Sequence, residues 1–344
     1  MNIILCEYVN KNEYDAGNKA RNDVLIIAKR LGYKHVPLYK SGASKPVVVL
    51  QIIRGLVSTM LQSEKNDKIL IQYPYYPAIV NKILFAGLFL GKKVKKSKLE
   101  LIVHDVIGLR NEKLDTEEGR SFLASEIMRM GTFDKVICHN ETMKKVFIDF
   151  SPTINCKVLG PFDYLYDGKT IVPELKYPWK IIVAGSLKQE KCGYLYKLPT
   201  LNNIVFELYG SGYAGTKQTN ITYHGSYPPD ELIMHLNGHF GLVWDGEDWN
   251  SISGVYGQYL KYNNPHKFSL YIAASIPLIV WSQSALANCV IDNNLGICLE
   301  SLEDLSSVLS NLSFEKYMSM VYSVKKYRKN LVVGNHLKSV LCSD

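Results

Sequence analysis

Three short stretches of this 344-residue chain hold residues of the type and spacing that chemistry needs. In IVHDVIGLR, His104 and Asp105 follow an aliphatic run and Arg110 comes five residues later. A carboxylate or imidazole so placed can take a proton from an attacking hydroxyl. Asp105 can equally cap the segment that follows it. In VAGSLKQEK, Gly185 and Ser186 end an apolar run and Lys188 lies just beyond. A glycine there lets backbone N–H groups approach an anion, a following helix start adds partial positive charge, and lysine supplies a point charge. In YNNPHK, Pro265 presets the first turn of a helix, which brings Asn264, His266 and Lys267 to its amino end. A diphosphate docked there meets dipole, amides and ammonium together. Each feature also has a plain reading: a turn glycine, a surface lysine, a helix cap.

Strand–helix alternation is what would position these residues. NIILC, KILIQYP, LELIVHD and KVICHN read as buried strands, separated by helical periodicity over 18–30 and 116–130. The pattern breaks in the proline- and aspartate-bearing stretch 161–178, read as a linker. It resumes with WKIIVAGS, NIVFELYGS, ITYHGS, GLVWDG, IPLIVWS and GICLES, with helices over 229–236 and 265–274. The expected architecture is α/β: a Rossmann-like domain over 1–160, a linker over 161–178 and a second Rossmann-like domain over 179–312. Helices over 313–344 are expected to fold back on the first domain. Such sheets bind ligands outside the carboxyl ends of their strands. Both sets of strand ends are expected to face one cleft. Tyr209, in a tight glycine turn, could then border a nucleobase. Gly17 and Asn18, at the start of the first helix after Asp15, and Asp245 after VWDG could face a sugar or its phosphate. The polar, aromatic stretch 245–262 reads as a mobile loop.

Composition excludes other classes. Apolar residues make up 47% and charged residues 21%, enough for a proper interior. The longest apolar run, 78–90, carries Asn81 and Lys82 and falls short of the ~20 residues of a membrane span. No secretory leader pattern opens the chain, so a cytoplasmic location is expected. The seven cysteines are scattered without a CxxC spacing and read as free thiols. Lys and Arg exceed Asp and Glu by 40 to 32. The run GKKVKKSK, 91–98, is either a solvated helix end or a landing patch for anionic lipid or an acidic acceptor. No module for nucleic acid is present. HExxH, DxD, GxSxG and GxxxxGK[ST] are missing too, so no metal site is expected.

The blocks DAGNKARND, HDVIGLR, VAGSLKQEKC, LVWDG, SGVYGQYLKYNNPHKFSLYIAASIPLIVW and ALANCVIDNNLGI resemble the GT-B glycosyltransferases that glucosylate serine-rich-repeat adhesins. They are similar as well to bacterial β-1,6-galactofuranosyltransferases. The resemblance spans nearly the whole chain. It implies a GT-B fold, a UDP-hexose co-substrate with no further cofactor, inverting transfer without a metal, and a homo-oligomer. The NPHK-to-ASIP segment matches the donor-diphosphate helix, which implies Asn264, His266 and Lys267 as donor residues. Gly185, Ser186 and Lys188 match the first loop of the second domain, and Tyr209 the base-side turn. Where many retaining GT-B enzymes carry a ribose-binding glutamate, this chain has Leu270.

The expected function is therefore transfer of a hexose, glucose first, from a UDP-sugar to a GlcNAc-modified serine-rich protein, with Asp105 or His104 as base. Two alternatives stand beside it: galactofuranose transfer onto a lipid-linked glycan, and a non-catalytic nucleotide-sugar-binding partner of another transferase. The lysine run keeps peripheral membrane contact open.

Overall fold

The structure, a computed structural model, describes residues 1–8, 16–40, 44–76, 79–111, 114–170, 176–216 and 218–343. In chain order, the first half comprises β1 (Ile3–Tyr8), α1 (Ala16–Arg30), β2 (Lys34–Lys40), α2 (Lys45–Gln62), β3 (Lys68–Tyr73), α3 (Ile79–Lys95), β4 (Lys98–Val103), α4 (Ile107–Asn111), α5 (Glu117–Met130), β5 (Lys135–Cys138), α6 (Glu141–Phe150) and β6 (Cys156–Val158). The second half comprises β7 (Trp179–Ser186), α7 (Gln189–Cys192), β8 (Ile204–Ser211), β9 (Ile221–Tyr223), α8 (Pro229–His235), β10 (Phe240–Val243), α9 (Gly254–Tyr259), α10 (His266–Ala273), β11 (Leu278–Trp281), α11 (Ala287–Asp292), β12 (Gly296–Leu299), α12 (Leu305–Ser310), α13 (Phe314–Leu331) and α14 (Asn335–Cys342). Described residues 1–8, 21–160 and 337–343 form one compact unit, and 16–20 with 161–336 the other. The C-terminal helices thus divide, α13 counting with the second unit and the tail from Leu337 with the first.

Each unit is built on a six-stranded parallel sheet, ordered β2-β1-β3-β4-β5-β6 in the first and β12-β11-β10-β7-β8-β9 in the second. The period of two along β7 shows why both faces are covered. Ile181 and Val183 enter one cluster with Phe206, Leu242 and Trp244, while Ile182 and Ala184 enter the other with Val243, Tyr271 and Val280. Helix starts follow the side chains available. Thr116 accepts from the backbone N–H of Gly119 at α5, and Asn140 from that of Met143 at α6.

The stretch after β6 is packed rather than extended free. Phe162 and Tyr164 are buried, and the N–H groups of Tyr164 and Tyr166 donate to Leu331 and Val332 at the end of α13. Residues 171–175 lie outside the described set.

Both sheets reverse direction of growth at one place. In the first the reversal lies between β1 and β3, in the second between β7 and β10. A crevice forms outside the carboxyl ends at such a point, because the connections on its two sides leave toward opposite faces.

Candidate functional site

The reversal between β7 and β10 gathers most of the residues singled out in the second half. Strands β7 and β8 end in register, Gly185 opposite Gly210 and Ser186 opposite Ser211. Gly185 has φ +118° and Gly210 φ +150°, and a Cβ on Gly210 would lie 1.7 Å from the Gly185 carbonyl oxygen. Two side chains could not occupy these positions, so the strand ends present bare backbone. Lys188 follows directly at the residue before α7, its side chain making no cap bond to the helix.

The connection after β10 closes on that after β7. Gly246 N–H donates to the Lys191 carbonyl (2.8 Å), and Tyr194 N–H to the Gly246 carbonyl (3.3 Å). This contact brings Asp245 to the crevice, where Lys267 from the first turn of α10 meets it. Lys267 Nζ donates to Asp245 Oδ1 (2.7 Å) and to the Trp244 carbonyl (3.0 Å). The two side chains are 9% and 6% exposed, so this is a charge pair largely removed from water. An ammonium has three N–H donors. Two are used here, and the third has no partner among the described residues.

Helix α10 places His266 beside Lys267. Its ring stacks on Tyr164 at 5.1 Å. Burial pushes the His266 pKa down to about 3, with the Lys19 ammonium adding to the effect and the Asp163 backbone opposing it. The ring is neutral near pH 7, and its Nε2 is buried without a hydrogen-bond partner, as is Asn263 Oδ1. Asn264 is buried at the same helix entrance. Lys19 itself donates to the Leu165 carbonyl (2.9 Å), pairs with Asp230 (3.0 Å) and lies 4.8 Å from the Tyr164 ring centroid. Sequence reasoning passed over Tyr164 and saw Lys19 only as part of the stretch around Gly17 and Asn18 that could face a sugar or its phosphate, not as a buried partner of Tyr164. A buried lysine leaves no periodic trace, and an aromatic in a proline-rich stretch reads as loop.

Other expected residues fall elsewhere. Tyr209 is 2% exposed, its ring stacked on His224 at 4.5 Å and its hydroxyl accepting from Asn237 N–H. The core uses its ring, so Tyr209 does not join the crevice residues. Leu270 is buried in the same core. The stretch 245–262, read as a mobile loop, contains α9 and is tied at Asp248. That carboxylate accepts from Ser253 Oγ (2.9 Å) and Lys197 Nζ (2.6 Å). Gly17 and Asn18 lie in the first turn of α1, Asn18 half-buried, and Asp15 lies outside the described residues.

In the first unit His104 and Asp105 follow β4, next to β3 at the reversal. Gln72, fully buried on β3, fixes the imidazole. Its Nε2 donates to the Arg21 carbonyl (3.2 Å), which turns Oε1 toward His104 Nε2 at 2.7 Å. The amide oxygen can only accept, so Nε2 of the His104 ring carries a proton and donates to it. Asp105 Oδ2 accepts from Arg110 Nη1 (2.8 Å), with both side chains about a third exposed. Behind them, Glu126 of α5 pins the start of α4. Its carboxylate accepts from the N–H groups of Ile107 (2.9 Å) and Gly108 (2.7 Å) and from the Tyr73 hydroxyl (2.6 Å). Burial raises the Glu126 pKa, and these three donors oppose the rise. His139, fully enclosed, donates from Nε2 to the Val103 carbonyl (2.9 Å), and burial lowers its pKa. It braces the strand end that carries His104.

Among the described residues no cluster of three or more His, Cys, Asp or Glu could hold a metal ion. The parts at the β7–β10 crevice suited to an anion are backbone amides, a helix amino end and Lys267. Together they can receive a negatively charged ligand and stabilise charge that develops on it.

Comparison with known proteins gives concordant likenesses. The model of the glucosyltransferase 3-like N-terminal domain matches residues 1–150, and that of the C-terminal domain residues 181–343. The β-1,6-galactofuranosyltransferase WbbI of Escherichia coli (strain K12) is 29% identical over 341 residues, covering 97% of this chain and 95% of that protein. Glucosyltransferase 3 of Streptococcus gordonii is 29% identical over 329 residues, covering 94% and 92%. Among solved structures, sucrose-phosphate synthase from Thermosynechococcus elongatus superposes with a TM-score of 0.64 at 9% identity, covering 98% of this chain and 97% of that one. That likeness concerns the GT-B fold alone.

Proposed function

We propose, from the premise that the chain belongs to the glucosyltransferase 3-like family and is a glycosyltransferase, that it moves a hexose from a UDP-sugar to a hydroxyl of an already glycosylated acceptor. Transfer inverts the anomeric centre and requires no metal ion. The observation that carries the donor reading is the buried Lys267–Asp245 pair at the β7–β10 reversal, with one ammonium N–H left for a ligand. UDP occupies the second unit, its diphosphate at the first turn of α10 and against the bare backbone of Gly185 and Ser186. His266, neutral and with its Nε2 unpartnered, accepts from a hydroxyl of the same ligand rather than bonding its diphosphate. Lys188 adds positive charge.

The acceptor binds the first unit. Asp105 takes the proton of its hydroxyl through Oδ1, while Arg110 holds Oδ2 and His104 orients the same hydroxyl. The hydroxyl oxygen forms the new bond to C1 of the hexose as the bond from C1 to the β-phosphate oxygen breaks. UDP leaves with the electron pair, and Lys267 with the helix amides meets its charge.

Glucose onto a GlcNAc-modified serine-rich protein is the first reading of the reaction, in line with the relatives named glucosyltransferase 3. Galactofuranose onto a lipid-linked glycan is the second, in line with the relative named as a galactofuranosyltransferase and with the exposed lysines after Gly91. A panel of UDP-sugars offered with GlcNAc derivatives decides between them. Product from UDP-glucose supports the first, and product from UDP-galactofuranose the second. EDTA is expected to leave the rate unchanged. Binding of UDP-sugars with neither transfer nor hydrolysis would overturn the reading, and a loss in EDTA restored only by metal would overturn its metal-free part.

A further inference from the structure

Helices α2 and α3 lie against each other, for a Cβ on Gly87 would meet the Leu56 side chain and one on Gly91 that of Met60. Their inward faces bury Val48, Ile52 and Leu56, and Val80, Leu84 and Leu88. A surface helix ordinarily turns charge to the other side. Here Leu50, Ile53, Val57 and Leu61 recur on the outward side of α2, and Leu90 and Val94 on that of α3. Leu61 is 78% exposed, Val94 63% and Leu50 58%. Ile53 lies one turn before Leu56 on the side toward α3, so the two exposed rows adjoin. An apolar surface of this extent marks contact with a partner or a membrane.

The charges around it choose between these. Neither helix contains an Asp or Glu, and their cations are Lys45, Arg54, Lys82, Lys92, Lys93 and Lys95, followed by Lys96 and Lys98. Lys92 is held by Asp134 at 2.7 Å, while Lys82, Lys93, Lys96 and Lys98 are exposed. A second copy docked two-fold on this face would set like charges against each other. An anionic bilayer answers both features, since the acyl boundary takes the apolar rows and lipid phosphates take the lysines. Among the described residues no helix is long and apolar enough to cross a membrane. We propose that the α2–α3 face docks the protein peripherally on an anionic membrane surface, with Leu50, Val57, Leu61, Leu90 and Val94 entering its boundary and Lys82, Lys93, Lys96 and Lys98 among the headgroups.

Co-sedimentation of the full chain with vesicles tests this without any sugar donor, so it stands or falls apart from the transferase reading. The chain is expected to sediment with phosphatidylcholine–phosphatidylglycerol vesicles and to stay in solution with phosphatidylcholine alone. Each of Lys93→Gln and Lys96→Gln should weaken partitioning about fivefold. Leu50→Ser with Val57→Ser should weaken it at least as much while UDP affinity is unchanged. These side chains are already exposed, so the variants keep the fold, which circular dichroism checks. Absence of binding to anionic vesicles, or binding indifferent to lipid charge, overturns the proposal. So does a dimer that Val57→Ser dissociates in a protein that ignores vesicles.

Discussion

Lys267 and Asp245 share one fate. Each is almost wholly out of water and each is the other's counter-charge, so removing the ammonium alone strands a buried carboxylate. Lys267→Met is therefore expected to cost about 3 kcal/mol of stability, and Lys267→Met with Asp245→Asn to regain most of it. Turnover should behave differently. Both variants should lose about a hundredfold or more in kcat if the third N–H meets the departing charge as proposed, since it is missing from each. Urea melts beside kinetics separate the two roles, and near-normal kcat in the folded double variant would remove Lys267 from the donor site. His266 carries a second prediction at this scale. Its pKa falls from 6.5 to about 3 on folding, so the folded protein resists a proton that the unfolded chain accepts. Stability is then whole above pH 6.5 and is lost as pH falls from there toward 3. Between about pH 7.5 and about pH 5 this histidine should cost about 2 kcal/mol. Replacing it by His266→Phe, which can keep the stack on Tyr164, should remove that share of the loss. Equal acid sensitivity of the two proteins would show that His266 does not titrate in this way.

At the scale of elements, the site rests on a few strand ends held by side chains set far back in sequence. Glu126 of α5 accepts two backbone N–H groups at the start of α4 and so fixes the turn carrying Asp105 and Arg110. Gly108 leaves no room for a looser fit, since a Cβ there would lie 2.9 Å from the Leu123 backbone. Glu126→Ala should lower stability by about 3 kcal/mol and slow turnover. UDP affinity, assigned by the proposal to the second unit, should stay unchanged. A melt, a titration with UDP and a rate measurement check the three statements, and a large loss of UDP affinity would contradict the division of labour.

How much of this was legible beforehand depended on the element. Long apolar strands ending in glycine or HD announced themselves, the helix over 116–130 showed in its periodicity, and the helix start at Pro265 was visible from its chemistry. Strand β2 was missed because Lys34, Pro37 and Lys40 break its pattern, which an edge position tolerates. Strand β6 has three residues, too few for a period. Glu126 and Gln72 could not be foreseen, because one carboxylate on a helix and one amide in a strand look like any others until the fold brings their partners. Tyr209 misled for the opposite reason. An aromatic next to a glycine turn looks like a ligand platform, yet its ring completes a core.

The whole molecule is two sheets of similar plan, each with a reversal of strand order and each with its own set of polar residues at that point. The second unit holds the residues suited to an anion, and the first holds a carboxylate and an imidazole held in fixed orientation. A transferase needs both: one group to receive the leaving diphosphate and another to receive a proton. The central claim is where the nucleotide sits, and a crystal structure of the protein with UDP tests it most directly. The account predicts a diphosphate within hydrogen-bond reach of Lys267 Nζ and of the first-turn amides of α10, with the Lys267–Asp245 pair still in place. A nucleotide bound elsewhere, with Lys267 bonded only to Asp245 and the Trp244 carbonyl, would contradict it.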